Sequence, residues 1–368
     1  MRMPAITTRA LRKKFDAPAD NGFFGPGSVT WKVWGYPTSI TCGFQRSVTI
    51  EELDPNLVAA VEKSGGIWYR PRNRYDRTLR YFALMVFGDT ETTARAADVL
   101  VKVHSKAIGH DPVTGGTYDA NAPHSQLWIH MTAWHSNLYV YETFGPGRLS
   151  EEEENQYWAE CARSAELQTI DPATVPRNRE EVRAYFEEWR PRLSGSEIAQ
   201  KTAQHLLDAS VVLPDDLPRW LRPFAVGATA MIGRQTMATY PRWMRPLLGV
   251  RQSRLTDAVV TMASKPAYAF LARVPAAQIA VLSMISPSTV PIAAPRILGI
   301  AAASEVTMTP REAQARYGLD APAQAHLEFR AQQYERVFGQ QQAPSDAGLT
   351  ESQELIGALE NGNSATAS

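Results

Sequence analysis

The chain has 368 residues, 38 basic and 38 acidic side chains, and 44% hydrophobic residues. Such a composition is too apolar for general disorder, and a formal net charge of zero excludes a protein that grips nucleic acid through its overall field. Two cysteines, Cys42 and Cys161, are too few and too separated for a disulfide framework or a thiolate zinc site. The opening MRMPAITTRALRKKF lacks the apolar run of a secretory signal, and no window holds 18 uncharged apolar residues, so a cytoplasmic location is expected.

Residues 1–21 are basic, polar and without period, and are read as a flexible arm; 22–339 are read as one helical domain. From Gly22, GFFGPGSVTWKVWGYP punctuates aromatic residues with glycine and proline and predicts a packed loop. The 51–65 stretch predicts a short helix starting near Asp54, with Pro55 in its first turn and Gly65 at its end. Over 72–88, Leu79, Phe82, Ala83, Val86 and Phe87 recur at helical spacing and Gly88 stops the run. Asp89 or Thr90 caps the next helix, which is expected to reach Gly109. A turn-rich loop over 110–123 leads to a long apolar helix over 124–145, and Ser150 with Glu153 forms a capping box. Further helices are expected at 178–191, 194–210, 217–239, 251–271 and 276–285. With no sustained period-two alternation, the fold is read as all-α, with about ten to twelve helices. The charge-poor segment from Val274 to Ala303 suits a buried core better than a face resting on lipid, because Pro287, Pro291 and Pro295 interrupt any continuous stripe. Residues 340–368, rich in Gln, Ser, Asn and Gly, are read as a disordered tail.

The common nucleotide, hydrolase and zinc-protease motifs are missing: there is no GxxxxGK[ST], GxGxxG after a strand, HExxH or GxSxG. Five histidines, His104, His110, His124, His130 and His135, crowd one stretch. Helical steps put Ala97, Val101, His104 and Ile108 on one apolar face, and His130 sits in LWIHMTAW with Trp134 one turn on. A single histidine on such a face is more often a hydrogen-bonded core residue than a ligand. Two consecutive helices with one each can present imidazoles to a common cavity. A zinc or non-haem iron site needs further ligands, and Asp98 and Glu142 fall off the required spacing. Haem needs one axial imidazole, a wide apolar slot and cations for its propionates. Trp31, Trp34, Trp68, Trp128, Trp134, Phe82 and Phe87, with the run Arg70, Arg72, Arg74, Arg77 and Arg80, supply groups of those kinds.

The succession FGPGSVTWKVWG, RNRYDRTLRYFALMVFG, VKVHSKAIG, GGTYDANAPHSQLWIHMTAWHSNLYVYETFG and LSEEEENQYW resembles the rubber oxygenase (latex-clearing protein) catalytic-domain family. The likeness is nearest to the branch containing the mycophenolic-acid-pathway oxygenase and runs over roughly residues 22–275, through VPRNREEVRAYFEEW and LPRWLRPF…YPRWMRPLLGV. It implies a single all-α domain like the globin-related bundle of rubber oxygenases, holding one haem b per chain. It also implies His104 as the iron ligand, with Arg74 and Thr78 as the family's Arg-x-x-x-Thr pair in catalytic roles. Arg74 and Arg77 are then cofactor-side cations. Arg77 stands where the rubber-cleaving branch has a lysine, and a guanidinium that stays protonated cannot cap iron. His130, with Trp134, belongs to a motif of the smaller-substrate branch and is a second cofactor-side candidate. The implied activity is oxygenation of an apolar substrate, with cleavage of an isoprenoid C=C bond by dioxygen. The alternatives are a peroxidase-like or haem-binding protein that is no oxygenase, and a haem-free helical protein that binds a lipid or a partner. The implied partners are a small apolar substrate and dioxygen, with no nucleic acid and with a peripheral membrane contact left open.

Overall fold

Side-chain caps mark where many of the helices begin. Ser28 accepts from Trp31 N at 3.1 Å, Asp54 from Asn56 N at 3.1 Å, Asp89 from Thr92 N at 2.9 Å, and Ser150 with Glu153 closes the capping box. The computed structural model describes residues 8–347 and Leu349; residues 1–7, Gly348 and 350–368, and with them most of the expected tail, lie outside the described residues. The chain first forms α1 (Thr8–Arg12), α2 (Val29–Trp34), α3 (Phe44–Glu51), α4 (Pro55–Ser64), α5 (Gly66–Tyr69), α6 (Pro71–Phe87) and α7 (Thr90–His104). After a small hairpin come α8 (Pro123–Phe144), α9 (Glu151–Ala165), α10 (Arg179–Trp189), α11 (Glu197–Leu207), α12 (Arg222–Thr239) and α13 (Arg254–Arg273). The last four are α14 (Pro275–Ile285), α15 (Val290–Leu298), α16 (Pro310–Tyr317) and α17 (Leu327–Tyr334). The fold is all-α, with more and shorter helices than the sequence periodicity suggests.

α8 is the axis of the packing. Its residues are buried around most of its circumference, as expected for a core helix rather than a surface one, and α2, α3, α9, α12 and α13 all pack against it. On one side Trp134 meets Phe24, Trp34 and Tyr157, and the Tyr157 hydroxyl accepts from Trp34 Nε1 at 3.0 Å while donating to Trp134 O at 2.8 Å. On another side Trp128 stacks on Trp189 with centroids 4.7 Å apart.

Several expectations are corrected. The stretch from Gly22 read as loop contains α2, and a π-helical turn at Ser39–Gly43 leads into α3. α2 is too short to show a period and is held from outside: the buried Glu160 carboxylate on α9 accepts from Thr30 N and Thr30 Oγ1, each at 2.6 Å. The helix expected to reach Gly109 ends at His104, and Ile108–His110 pairs antiparallel with Thr117–Asp119, Ile108 opposite Asp119. Gly109 lies so close to Tyr118 that a Cβ would meet its hydroxyl at 2.8 Å. The described part of the expected arm is tied down. Leu11 packs with Ile279, Ala294 and Leu298, Arg12 Nε donates to Leu298 O at 2.7 Å, and Asp20 accepts from Thr90 N at 2.9 Å. The first residues of the expected tail are also anchored, Gln333 and Ser345 exchanging two hydrogen bonds of 2.8 Å. The 274–303 segment packs as core: α14 and α15 lie on each other, α15 against α6, with Leu282, Ala294 and Leu298 buried.

Replacing Glu160 by alanine leaves the Thr30 donors unsatisfied in the interior. The expected loss is about 2–4 kcal/mol of unfolding free energy in denaturant titration, with Glu160→Gln losing less.

Candidate active site

Local helix geometry places Arg74 and Thr78 one turn apart on α6, and Phe82 one turn further on. Thr78 Oγ1 donates to Arg74 O at 2.9 Å, so its proton is committed to the helix and its oxygen lone pairs face outward. Phe82 stacks on Trp34 at 6.0 Å and meets Phe44 edge-on at 6.1 Å. With Ile40, Leu79, Phe87 and Asn137 these rings line a narrow apolar slot whose free volume is about 20 Å³, room for about one water. The α6 helix thus carries a polar end and an apolar slot on adjoining faces.

Arg74 shows what lies at the polar end. Its pKa is lowered by burial and its side chain is nonetheless exposed. The Arg74 charge acts on His104, Glu51 and Glu52, which places the four groups near one another. His104, the last residue of α7, shares that environment: it is partly accessible, yet burial first and the Arg74 charge second push its pKa down to about 4. The helix C-terminus favours a protonated imidazole, and burial outweighs it. The ring is therefore neutral at pH 7, the form that binds metals. Its Nδ1 lies 3.2 Å from Gln126 Nε2 on α8, an amide that also donates to Ala120 O. Its Nε2 has no hydrogen-bond partner among the described residues.

Two carboxyl groups lie within reach of the Arg74 charge. Glu51, at the end of α3, accepts from Ser47 Oγ at 2.7 Å and Thr132 Oγ1 at 3.3 Å, and burial raises its pKa to about 7. Glu52 is raised to about 8 by burial and by the neighbouring Glu51 charge, against the pull of Arg74. Its Oε2 is buried without a hydrogen bond among the described residues. A buried acid pair, one cation and one neutral imidazole thus meet at the junction of α3, α6, α7 and α8. That grouping can hold an anionic or coordinating ligand and retain or release protons near neutral pH.

The structure brings together Arg74, Thr78 and His104 and leaves other candidates elsewhere. Both nitrogens of His130 are engaged: Nε2 lies 2.8 Å from Cys161 O, and Nδ1 lies 3.5 Å from Gln168 Nε2. Its ring is sealed in the core beside Trp134, itself wedged among Phe24, Trp34 and Tyr157, so neither presents a free face to a cofactor. Arg77 is part-buried on α6, adjacent to Arg74. Trp68 packs with His205, and Trp128 with Trp189, both in separate clusters. Asp98 pairs with His326, and Glu142 with Arg179. Ile108 has left the His104 face for the hairpin. Among the described residues, no group of three or more His, Cys, Asp or Glu side chains is placed to hold a metal ion.

Sequence reasoning missed Glu51, Glu52 and Gln126. Glu51 and Glu52 stand in EELD, read as the lead into the next helix, where acidic residues are commonplace. Gln126 carried no signal, since its partner is 22 residues away in another helix.

Residues 31–276, about two thirds of the chain, match the family model described as ER-bound oxygenase mpaB/B'/rubber oxygenase, catalytic domain. The chain belongs to this family. Its all-α fold accords with an oxygenase catalytic domain, and membership makes it an oxidoreductase of the oxygenase class. No characterised protein and no solved structure matches the chain.

Because Glu51 and Glu52 hold their protons more tightly folded than unfolded, where a glutamate titrates near about 4.3, the folded state carries extra protons from that pH up to 7 or 8. Their contribution is complete below the unfolded value and is lost as the pH rises through the folded ones. Glu52→Gln cannot ionise. Its melting temperature is expected to exceed that of the unmodified protein by a few degrees at pH 9, with the difference shrinking as the pH falls and vanishing only below about 4, as read by calorimetry.

Proposed function

We propose that this chain is a haem b-dependent oxygenase of an apolar, isoprenoid-type alkene, with His104 as the residue that would hold the iron. The observation carrying this reading is His104 itself: a neutral, part-accessible imidazole whose Nε2 is unbonded among the described residues and which lies near enough to Arg74 for that charge to lower its pKa. A tetrapyrrole needs a single protein ligand, which suits a site with one open imidazole and no ligand cluster. When bound, haem iron supplies the activation of dioxygen and the oxidation of the alkene.

The chain's own groups hold, orient and exclude. Nε2 coordination needs the ring proton on Nδ1, so the Gln126 amide must offer its oxygen there, giving up its bond to Ala120 O. Arg74 supplies a fixed positive fork for a propionate or for negative charge developing on oxygen. Thr78, its hydrogen bonded back to Arg74 O, offers a lone pair that positions that guanidinium or a water. Glu51 and Glu52, with pKa values near neutrality, can hold or release a proton at the edge of the recess. The slot between Phe82, Trp34 and Phe44 is apolar, and its rings would have to part to take an apolar chain, which they would then shield from water. With arginine at position 77, no lysine is available there to close the opposite face.

Titrating the purified protein with haemin is expected to give a Soret band at one haem per chain. His104→Ala should abolish the band, and His130→Ala should keep it wherever the variant folds. Gln126→Leu should weaken haem affinity by about tenfold or more. A Soret band lost only in the His130 variant would reverse the ligand assignment. A haem-loaded protein that consumes no oxygen with isoprenoid alkenes would favour the peroxidase-like or haem-binding reading, and a protein that takes up no haem would favour a haem-free binding protein.

A further inference from the structure

α12 and α13 turn small and polar residues inward. Ala225, Thr229 and Gly233 of α12 face the body, and Gly233 lies so close to α11 that a Cβ would meet Leu207 O at 2.8 Å. On α13, Val260, Ser264 and Tyr268 recur every fourth residue, and Gln235 of α12 ties to Ser264 at 2.9 Å and to Tyr268 at 2.7 Å. The outward stripes are apolar: Phe224 and Met231 on α12, with Trp220 just ahead, and Leu255, Met262 and Phe270 on α13 at spacings of seven and eight. Trp220, Phe224 and Leu255 each expose 70% or more of their surface. Two neighbouring helices whose outer faces are richer in large apolar side chains than their inner ones invert the usual amphipathic arrangement and mark an interaction surface.

Charge identifies what that surface meets. From Leu217 to Ser304 the single acidic residue is Asp257, and it is paired with Arg245 at 2.9 Å. Arg219, Arg222, Arg251, Arg254, Lys265 and Arg273 stand exposed around the apolar stripes. A second copy of the chain applied to this face would set arginine against arginine. A negatively charged, apolar-backed layer satisfies both features, with tryptophan and phenylalanine at headgroup depth and basic side chains on anionic headgroups. No single described helix is long and apolar enough to cross a membrane; α13 and α14 together would be by length and composition, but they meet at a bend of 105° and α14 buries Ile279, Leu282 and Ile285 in the body. We propose that the outer face of α12 and α13 docks this protein peripherally on an anionic lipid bilayer.

The inference is independent of the haem reading, and its test needs no activity. The full chain is expected to sediment with vesicles of phosphatidylcholine and phosphatidylglycerol, far less with phosphatidylcholine alone, and to be released by high salt. The exposed triple substitution Phe224→Asp, Met262→Asp and Phe270→Asp should lower partitioning by about tenfold or more while leaving circular dichroism and melting temperature unchanged. Arg219→Gln with Arg222→Gln and Arg254→Gln should lower it on anionic vesicles only. Failure to bind anionic vesicles, binding that survives the triple substitution, or a dimer that the triple substitution dissociates would each overturn the proposal.

Discussion

Burial of α8 on nearly all sides is the constraint on which this structure rests. A helix buried over most of its surface leaves little room for water beside its inward polar side chains, so each must find a partner among its neighbours or accept a shifted protonation state. His130 finds the Cys161 carbonyl and Thr132 finds its own helix and Glu51, while Gln126 reaches His104 and the Ala120 carbonyl. The same burial removes water from the places where α3, α6 and α7 meet α8. It therefore makes His104 a weak base and Glu51 and Glu52 weak acids. Packing and chemistry have one physical cause here, the withdrawal of solvent from groups that prefer to be charged.

Two histidines on consecutive helices illustrate how that cause separates equal sequence signals. Both are pushed to about pKa 4 by burial, and periodicity turns both toward the interior. His130 lies mid-helix with both nitrogens engaged, so its neutrality serves packing. His104 stands at a helix terminus near a guanidinium, with Nδ1 held by Gln126 and Nε2 unbonded among the described residues, so a turn of that amide would move the ring proton to Nδ1 and free the Nε2 lone pair. Burial alone does not distinguish a core histidine from a ligand; the count of engaged nitrogens does.

Much of the architecture was legible in the chain because its signals are local. Asp54 with Pro55, glycine at 65 and 88, and Ser150 with Glu153 act within one helical turn of themselves, and the structure starts or ends its helices at those residues. The arginine–threonine pair one turn apart on α6 was equally readable, as was the resemblance carried by the order of the words around it. The short α2 was not, since six residues show no period and its first-turn donors are met by Glu160 from α9. The end of α7 was misplaced because the five residues after His104 are themselves compatible with helix, whereas Gly109 needs to approach Tyr118 and Ile108 needs a strand partner at Asp119.

What the residues settle unaided is whatever acts within a turn or two: helix starts and stops, an all-α class, one basic and histidine-rich stretch, and membership of an oxygenase family. Tertiary packing alone decided which imidazole keeps a free nitrogen, which carboxyl groups gather at Arg74, and which apolar residues stay outside. Phe224 and Phe270 look like core in one dimension and stand in the open in three, because the inner faces of their helices are taken by Gly233, Ser264 and Tyr268, which allow close approach or hydrogen bonding. Those outcomes depend on atoms far apart in the chain, and no local pattern encodes a distance between them.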